Sequence, residues 1–303
     1  MQHCDVVILT DSRYVDPSAT TDYVQNLLTE DRLVREALEA QGLTVLRKDW
    51  ADPHFNWKTT RAILFRTTWN YFDKFDAFKQ WLHSVSQQTL LINSTHTISW
   101  NMDKHYLQDL QQEGIHIVPT RFIERRANLS LRELHKIEGW DTTVLKPTVG
   151  GGGRHTYKLN QDNLADFESH FSALIADEDF MLQPFQHSIP EQGEWSYMVF
   201  GDKYSHAVLK KARKGDFRVQ DDFGGTVHTY EPQTEEVDFA LKAVQACAHQ
   251  PAYARVDVVR DNFGKLAVSE LELVEPELWF RRKPEAADLL AREVIKRLGV
   301  CRA

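Results

Sequence analysis

Three groups of residues carry charge or backbone freedom in patterns that can do chemistry. Lys146 ends an extended run, Thr143-Val144-Leu145-Lys146-Pro147, and Gly150, Gly151, Gly152 and Gly153 follow at once. Glycine tolerates backbone angles closed to other residues, so successive N–H groups can turn toward one bulky anion, and a lysine beside them adds a point charge. No Gly-Lys-Ser/Thr ends the run and no helix opens straight after it, so this is not a P-loop. Taken alone, the run fits a flexible hairpin tip as well as a phosphate cradle.

Acids form the second group. Asp257 lies in Arg255-Val256-Asp257-Val258, and Glu270-Leu271-Glu272 lies in the next extended run. Residues two apart project from the same face of a strand, and pairing the two runs through Asp261-Asn262-Phe263-Gly264 would bring Asp257 beside both glutamates. Three gathered carboxylates repel one another unless a cation neutralises them, and hard oxygen ligands suit Mg²⁺. The alternative is a solvated acidic face. Val256, Val258, Leu271 and Leu273 would then turn to the core, an alternation compatible with a cleft or with plain surface.

The third group is basic: Lys104, Lys146, Lys210, Lys211, Arg213, Lys214 and Arg218. A cationic stretch beside glycine and aspartate can close over phosphates and stabilise charge during phosphoryl transfer. Lys211 and Arg213 taken singly read better as exposed loop residues. His105, His155, His206 and Cys247 show no metal or nucleophile spacing. Ser196 and Ser205 lack the strand-turn-helix elbow of a hydrolase.

These groups need elements to hold them. Val6 to Thr10, Leu43 to Leu46, Ala62 to Phe65 and Leu90 to Asn93 read as strands, with helices from Val24 to Ala40 and over Phe75 to Leu82 between them. Strands alternating with helices imply an open sheet, which presents ligands at its strand ends, where Asp11 and Arg66 would lie. Asn101 to Glu113 reads as one helix, Ile115 to Val118 as a strand, and Leu131 to Ile137 and Leu164 to Leu174 as helices. The second half is richer in antiparallel signals. Trp195 to Phe200 and Tyr204 to Leu209 flank the turn Gly201-Asp202-Lys203, and Tyr253 to Val259 and Leu266 to Leu273 flank Asp261 to Gly264. Arg213 to Gly225 has the look of a mobile loop, and helices cover Val237 to Ala248 and Leu289 to Leu298. The class is α/β, becoming α+β in the C-terminal half.

Composition excludes several functions. The 303 residues hold 36 Lys and Arg against 44 Asp and Glu, a formal charge of -8 that disfavours sequence-independent nucleic-acid binding. No apolar run reaches the length of a membrane span, and Met1-Gln2-His3-Cys4-Asp5 lacks the basic-then-apolar form of a signal peptide. Cys4, Cys247 and Cys301 are odd in number and scattered, which points away from a disulfide scaffold. The expectation is a cytoplasmic protein with no nucleic-acid or membrane partner.

The order of these features resembles the ATP-grasp superfamily. Asn101-Met102-Asp103-Lys104 before Gly114-Ile115-His116-Ile117-Val118-Pro119-Thr120 is similar to the family's entry segment. Val144-Leu145-Lys146-Pro147 with the glycine run resembles its nucleotide-covering hairpin. Leu182-Gln183-Pro184-Phe185 resembles its adenine-contacting hinge. Within the superfamily, the chain resembles the glutathione-synthase/RimK-like branch that includes the cycloserine-forming O-ureidoserine cyclase. Arg66-Thr67-Thr68-Trp69-Asn70-Tyr71, Gly193-Glu194-Trp195-Ser196-Tyr197, Gly215 to Gln220, Tyr253 to Asp257 and Glu270 to Pro276 carry that likeness. One departure is Glu272, where many relatives have asparagine; it leaves open whether Glu272 or Glu275 completes a metal site.

The resemblance implies a pre-ATP-grasp α/β domain over residues 1–98, a small subdomain with the glycine loop over 99–185, and a C-terminal subdomain with the metal site over 186–303. It implies a carboxylate–amine ligase, or an intramolecular cyclase, working through an acylphosphate on an amino-acid-like small molecule. Lys104 and Lys146 would hold the α- and β-phosphates of ATP under Gly151, Gly152 and Gly153. Gln183, Phe185 and an acid among Glu191 and Glu194 would surround adenine and ribose. Asp257, Glu270 and Glu272 would hold Mg²⁺, with Mn²⁺ as a substitute. Arg218 and Lys210 would stabilise the acylphosphate and the oxyanion, while Asp11, Arg66 and Asn70 are candidates for binding substrate. A homodimer is common in the branch. A small-molecule kinase and a catalytically silent nucleotide-binding regulator remain as alternatives.

Overall fold

The computed structural model describes residues 3–18, 21–219 and 224–299. Three sheets follow one another along the chain. The first is parallel, with strands β1 (Cys4–Thr10), β2 (Val45–Asp49), β3 (Thr60–Thr67) and β4 (Leu90–Ile92) in the order β2-β1-β3-β4. Its two central strands are apolar on both faces because helices cover both, as parallel sheets require. α1 (Ser12–Val15) is a single turn capped by Asp11. α2 (Asp22–Glu39) begins at the Thr21 cap, and α3 (Phe75–Ser86) buries Phe78, Leu82 and Val85.

The helix expected over Asn101 to Glu113 starts later, as α5 (Tyr106–Gln112), and a helix the sequence reading did not anticipate, α4 (Thr95–Asn101), precedes it across a break at residues 102–105. The break has a local cause: the Lys104 N–H donates to Thr148 O at 2.9 Å, and Asp103 Oδ1 accepts from the His105 N–H at 3.1 Å. These bonds replace helical ones and turn Lys104 inward. A second correction concerns Ile115 to Val118. It forms no strand, only a parallel bridge between Ile117 and Val268, because Pro119 follows and offers no N–H for a ladder.

The middle sheet is antiparallel, built from β5 (Arg121–Ile123), β6 (Thr142–Pro147), β7 (Tyr157–Asn160) and β8 (Phe180–Pro184) in the order β5-β8-β6-β7. α6 (Leu131–Glu138) starts in a capping box between Ser130 and Glu133 and ends at left-handed Gly139. With α7 (Leu164–Leu174) it buries one face of the sheet through Leu131, Leu134, Phe171 and Phe180. The β6–β7 connection is the glycine run.

The third sheet runs β11-β10-β9-β12-β13, from β9 (Glu194–Phe200), β10 (Lys203–Lys211), β11 (Thr226–Tyr230), β12 (Tyr253–Arg260) and β13 (Leu266–Glu272). α8 (Ser188–Gln192) leads into it, α9 (Thr234–Gln245) covers one face, and α10 (Ala286–Leu298) packs back on α2. The loop expected over Arg213 to Gly225 contains residues 220–223, Gln220 among them, which lie outside the described residues, as does Cys301. Among the described residues, no helix is long and apolar enough to cross a membrane.

Candidate active site

The acids sit where they do because of strand alternation. On β12 and β13, Ala254, Val256, Val258, Leu271 and Leu273 enter a core shared with α5 and α9, so Arg255, Asp257, Glu270 and Glu272 turn to the opposite face. The register sets Asp257 opposite Glu270 and Arg255 opposite Glu272. A bulge after Asp257 bends the pair there. Asn101 clamps β13 from outside the sheet, donating to Leu271 O at 2.7 Å and accepting from the Leu273 N–H at 2.7 Å. One ligand oxygen each from Asp257, Glu270 and Glu272 lies within 4.8 Å of the others. Glu275 is not part of that group.

A cleft of about 530 Å³ opens over this face, roofed by the middle sheet and walled at one end by the first. Lys104, Lys146, Gly151, Gly152, Gly153, Gln183, Phe185, Glu194, Lys210 and Arg218 all line it, as do the three acids. Lys104 Nζ donates to Gly150 O at 2.6 Å and meets Glu270 at 3.1 Å. Gly152 and Gly153 have φ of +58° and +70°, the left-handed region the loop needs. Gln183 Nε2 donates to Thr120 Oγ1 at 2.8 Å, and the Lys158 ammonium lies 3.6 Å from the Phe185 ring centre.

Charges in the cleft are strongly coupled. Burial works against the Asp257 carboxylate, but Arg255 and then Lys210 outweigh it and hold its pKa well below the ordinary range. The geometry agrees: Arg255 donates to Asp257 Oδ2 at 2.8 Å, Lys210 stands 3.2 Å away, and Ser196 donates its hydroxyl. Glu270 is likewise held low against burial by Lys104 and Lys146. Glu272 goes the other way, pushed up to about 7 by burial despite its contact with Arg255. Glu275 is pushed up to about 8 by burial and by Glu272. Burial pulls Lys146 down, and among the described residues it has no ion-pair partner. Such an array suits a divalent cation and polyanionic phosphates. Three oxygens crowd together, one of them on a carboxyl that resists ionising, beside a lysine that forms no ion pair among the described residues.

Other expected residues lie elsewhere. Glu191 is exposed on α8, outside the cleft lining. Asp11 is buried, capping α1 and pairing with Arg13 at 2.6 Å. Arg66 is buried under Phe280 and donates to Pro276 O at 3.0 Å. Asn70 Oδ1 accepts from Trp50 Nε1 at 2.7 Å. Conversely, Arg255, Trp279, Ser269 and Arg13 line the cleft without having been singled out as site residues. Arg255 had a readable signal, standing two residues from Asp257 on one strand face. Trp279 lies on irregular chain and Arg13 on a helix of a single turn, so no period marks a face for either.

Residues 6–93 match the family model described as the N-terminal domain of D-cycloserine synthetase DcsG. The chain is 28% identical over 281 residues to the cycloserine biosynthesis protein DcsG of Streptomyces lavendulae, spanning 87% of this chain and 92% of that protein. The crystal structure of D-cycloserine synthetase DcsG superposes with a TM-score of 0.86 at 25% identity, over 97% of this chain and 99% of the other. A RimK domain ATP-grasp protein from Sphaerobacter thermophilus aligns with a TM-score of 0.69 at 17% identity, over 96% and 99%. The ATP-grasp ligase PsnB, solved with Mg and ADP, aligns at 0.65 and 16% identity, over 98% and 100%. The chain has the ATP-grasp fold. The fold expected from the sequence is borne out by these structures, and the chain is similar to a ligase of the branch it was expected to resemble. In ATP-grasp terms, the cleft lies between the middle sheet with its glycine loop and the carboxylate-bearing third sheet.

Proposed function

We propose that this ATP-grasp enzyme is an ATP-dependent carboxylate–amine ligase, or an intramolecular cyclase, acting on an amino-acid-like substrate through an acylphosphate. One observation carries the reading: the gathered oxygens of Asp257, Glu270 and Glu272 face Lys104, Lys146 and the glycine loop across a single cleft. Its likeness to a cycloserine biosynthesis protein favours a small amino-acid-like substrate over a polymer.

Position in the cleft supports a role for each residue. Lys104 and Lys146 neutralise the ATP phosphates, and the backbone at Gly151 to Gly153 covers them. Gln183 and Phe185 border adenine, with Glu194, rather than exposed Glu191, near the ribose. Asp257, Glu270 and Glu272 would hold Mg²⁺, or Mn²⁺ in the same oxygen set; the bound ion supplies charge neutralisation for the transferring phosphoryl group. The substrate carboxylate attacks the γ-phosphorus as the bond to the ADP oxygen breaks. An amine then forms the C–N bond while the C–O bond to phosphate breaks, and it gives up a proton. Lys210 and Arg218 stabilise the anionic charge that develops in both steps. No protein nucleophile is needed, because positioning and electrostatics supply the catalysis.

The test is ADP release with Mg-ATP over amino acids and dipeptides, singly and in pairs, with products read by mass. Substrate-dependent ADP with loss of water, from one compound or from two joined, is the expected result. Stoichiometric ADP with a phosphorylated product and no new amide would make it a kinase instead.

A further inference from the structure

Charge pairing in the cleft leaves one acid over. Asp257, Glu270, Glu272 and Glu277 are each ion-paired, as are Glu194 and Asp73. Glu275 lines the same cleft, yet among the described residues its carboxylate meets no cation and makes no hydrogen bond. Its main chain, by contrast, is held on both sides. Tyr253 OH donates to Val274 O at 2.8 Å, Trp69 Nε1 donates to Glu275 O at 2.9 Å, and Arg66 donates to Pro276 O at 3.0 Å. The carboxyl group is therefore placed firmly in a half-buried position with no ion pair of its own. Ionising such a group is costly unless something that binds there completes it.

The location says what that something is. Glu275 stands at the end of the cleft walled by the first sheet, next to Trp69, which packs against Tyr14 and Tyr23 at ring distances of 6.2 and 6.3 Å. Glu275 is outside the set of gathered oxygens that could hold a metal, and Lys104 and Arg255 act on it only through space, with no ion pair formed. An acid in a cleft wall that also carries Trp69, Tyr14 and Tyr23 is chemistry for an organic cation. We propose that Glu275 binds the ammonium group of the substrate and so restricts the enzyme to amino-bearing carboxylic acids. This rests on the ligase reading above and adds the recognition of the amine. It also gives Arg66 and Trp69 a function as positioning residues, since both hold the backbone that presents Glu275.

The test compares wild type, Glu275→Gln and Glu275→Asp for ADP release with Mg-ATP, over amino acids and their des-amino counterparts, with products read by mass. Binding of Mg-AMPPNP is followed in parallel by calorimetry. The expected result is that only amino-bearing acids drive the wild type. Glu275→Gln should then lose on the order of thirtyfold in kcat/KM, mostly through KM, as for loss of one charged hydrogen bond, with part recovered in Glu275→Asp. Mg-AMPPNP affinity should stay within about twofold, since the nucleotide contacts are elsewhere. Retention of kcat/KM by Glu275→Gln, equal use of des-amino acids by the wild type, or a parallel loss of Mg-AMPPNP binding would each overturn the assignment. ADP release without a new C–N bond would instead count against the ligase reading, while the dependence on Glu275 could still be read.

Discussion

Lys146 shows how a single residue can be unfavourable for stability and yet suit the proposed function. Its ammonium is drawn into the cleft at the end of β6, where burial disfavours the charge and Glu270 only partly compensates. Replacing it with methionine keeps most of the stem's volume and removes the desolvated charge. Lys146→Met should therefore raise stability by about 1 kcal/mol, close to 2 °C in Tm for a chain of this size. It should also weaken Mg-AMPPNP binding by roughly ten- to a hundredfold, the worth of a charged hydrogen bond to phosphate. Thermal melts and calorimetry on the same preparations check both signs, and a variant that binds the nucleotide normally would remove Lys146 from the site. Lysine beside four glycines was legible in the sequence because both chemistries are local. Glu275 was not legible as a separate group. Only the fold shows that its neighbours are paired and that it is not.

Strands and turns set the site's geometry, and their tolerances are narrow. Gly193 enters β9 with φ +94° and ψ −166°, a region open to glycine alone, and a Cβ there would run into the Lys210 carbonyl and approach Leu209 Cδ1 at 2.8 Å. Gly193→Ala should cost about 3 kcal/mol, and it should also lower ADP release, because Glu194 and Lys210 pair directly across this point. A variant with normal stability in urea would contradict the strain argument. A second element-level test lies on β10, where His206 is buried against Leu278 O at 3.0 Å and burial lowers its pKa to about 4. The folded chain holds this imidazole neutral while the unfolded chain protonates it below its ordinary value of 6.5. Stability is thus complete above pH 6.5 and declines as pH falls toward 4, by about 3 kcal/mol at 1.36 kcal/mol per unit. His206→Gln should flatten that part of the profile, read as the difference between wild type and variant in urea melts at pH 7 and pH 4.5. The long periodic elements were readable within a few residues of their ends, but Ile115 to Val118 and α4 were not. The late start of α5 was hidden too, because its cause is Thr148, a residue far along the chain that captures the Lys104 N–H.

At the scale of the whole molecule, the first sheet is not an appendage. Val6, Ile8 and Leu64 share one apolar core with Met198, Phe200, Tyr253, Phe280 and Leu290. The segment after β13, which carries Glu275 and Trp279, is tied to the first sheet at several points. Glu30 on α2 is the firmest of these ties, accepting from the Phe280 N–H at 2.8 Å, the Arg281 N–H at 2.9 Å and Arg281 Nη1 at 3.1 Å. Glu30→Ala strands two backbone donors at once, each worth 1–3 kcal/mol when buried unpaired, whereas Arg281 keeps its pairing with Glu277. The expected loss is about 4 kcal/mol. A shared core makes a further demand on how that loss is spread. Urea unfolding of the variant should remain one transition with an unchanged slope and an earlier midpoint, because the slope follows the surface exposed and the same surface is still exposed together. Two transitions, or a shallower slope, would mean that the first sheet comes away alone and that the shared core contributes little. Mg-AMPPNP should restore part of the lost midpoint by mass action, since it engages the cleft formed only when the sheets are joined. Absence of that recovery would separate the nucleotide site from the contact between sheets and leave Glu30 a purely structural strut.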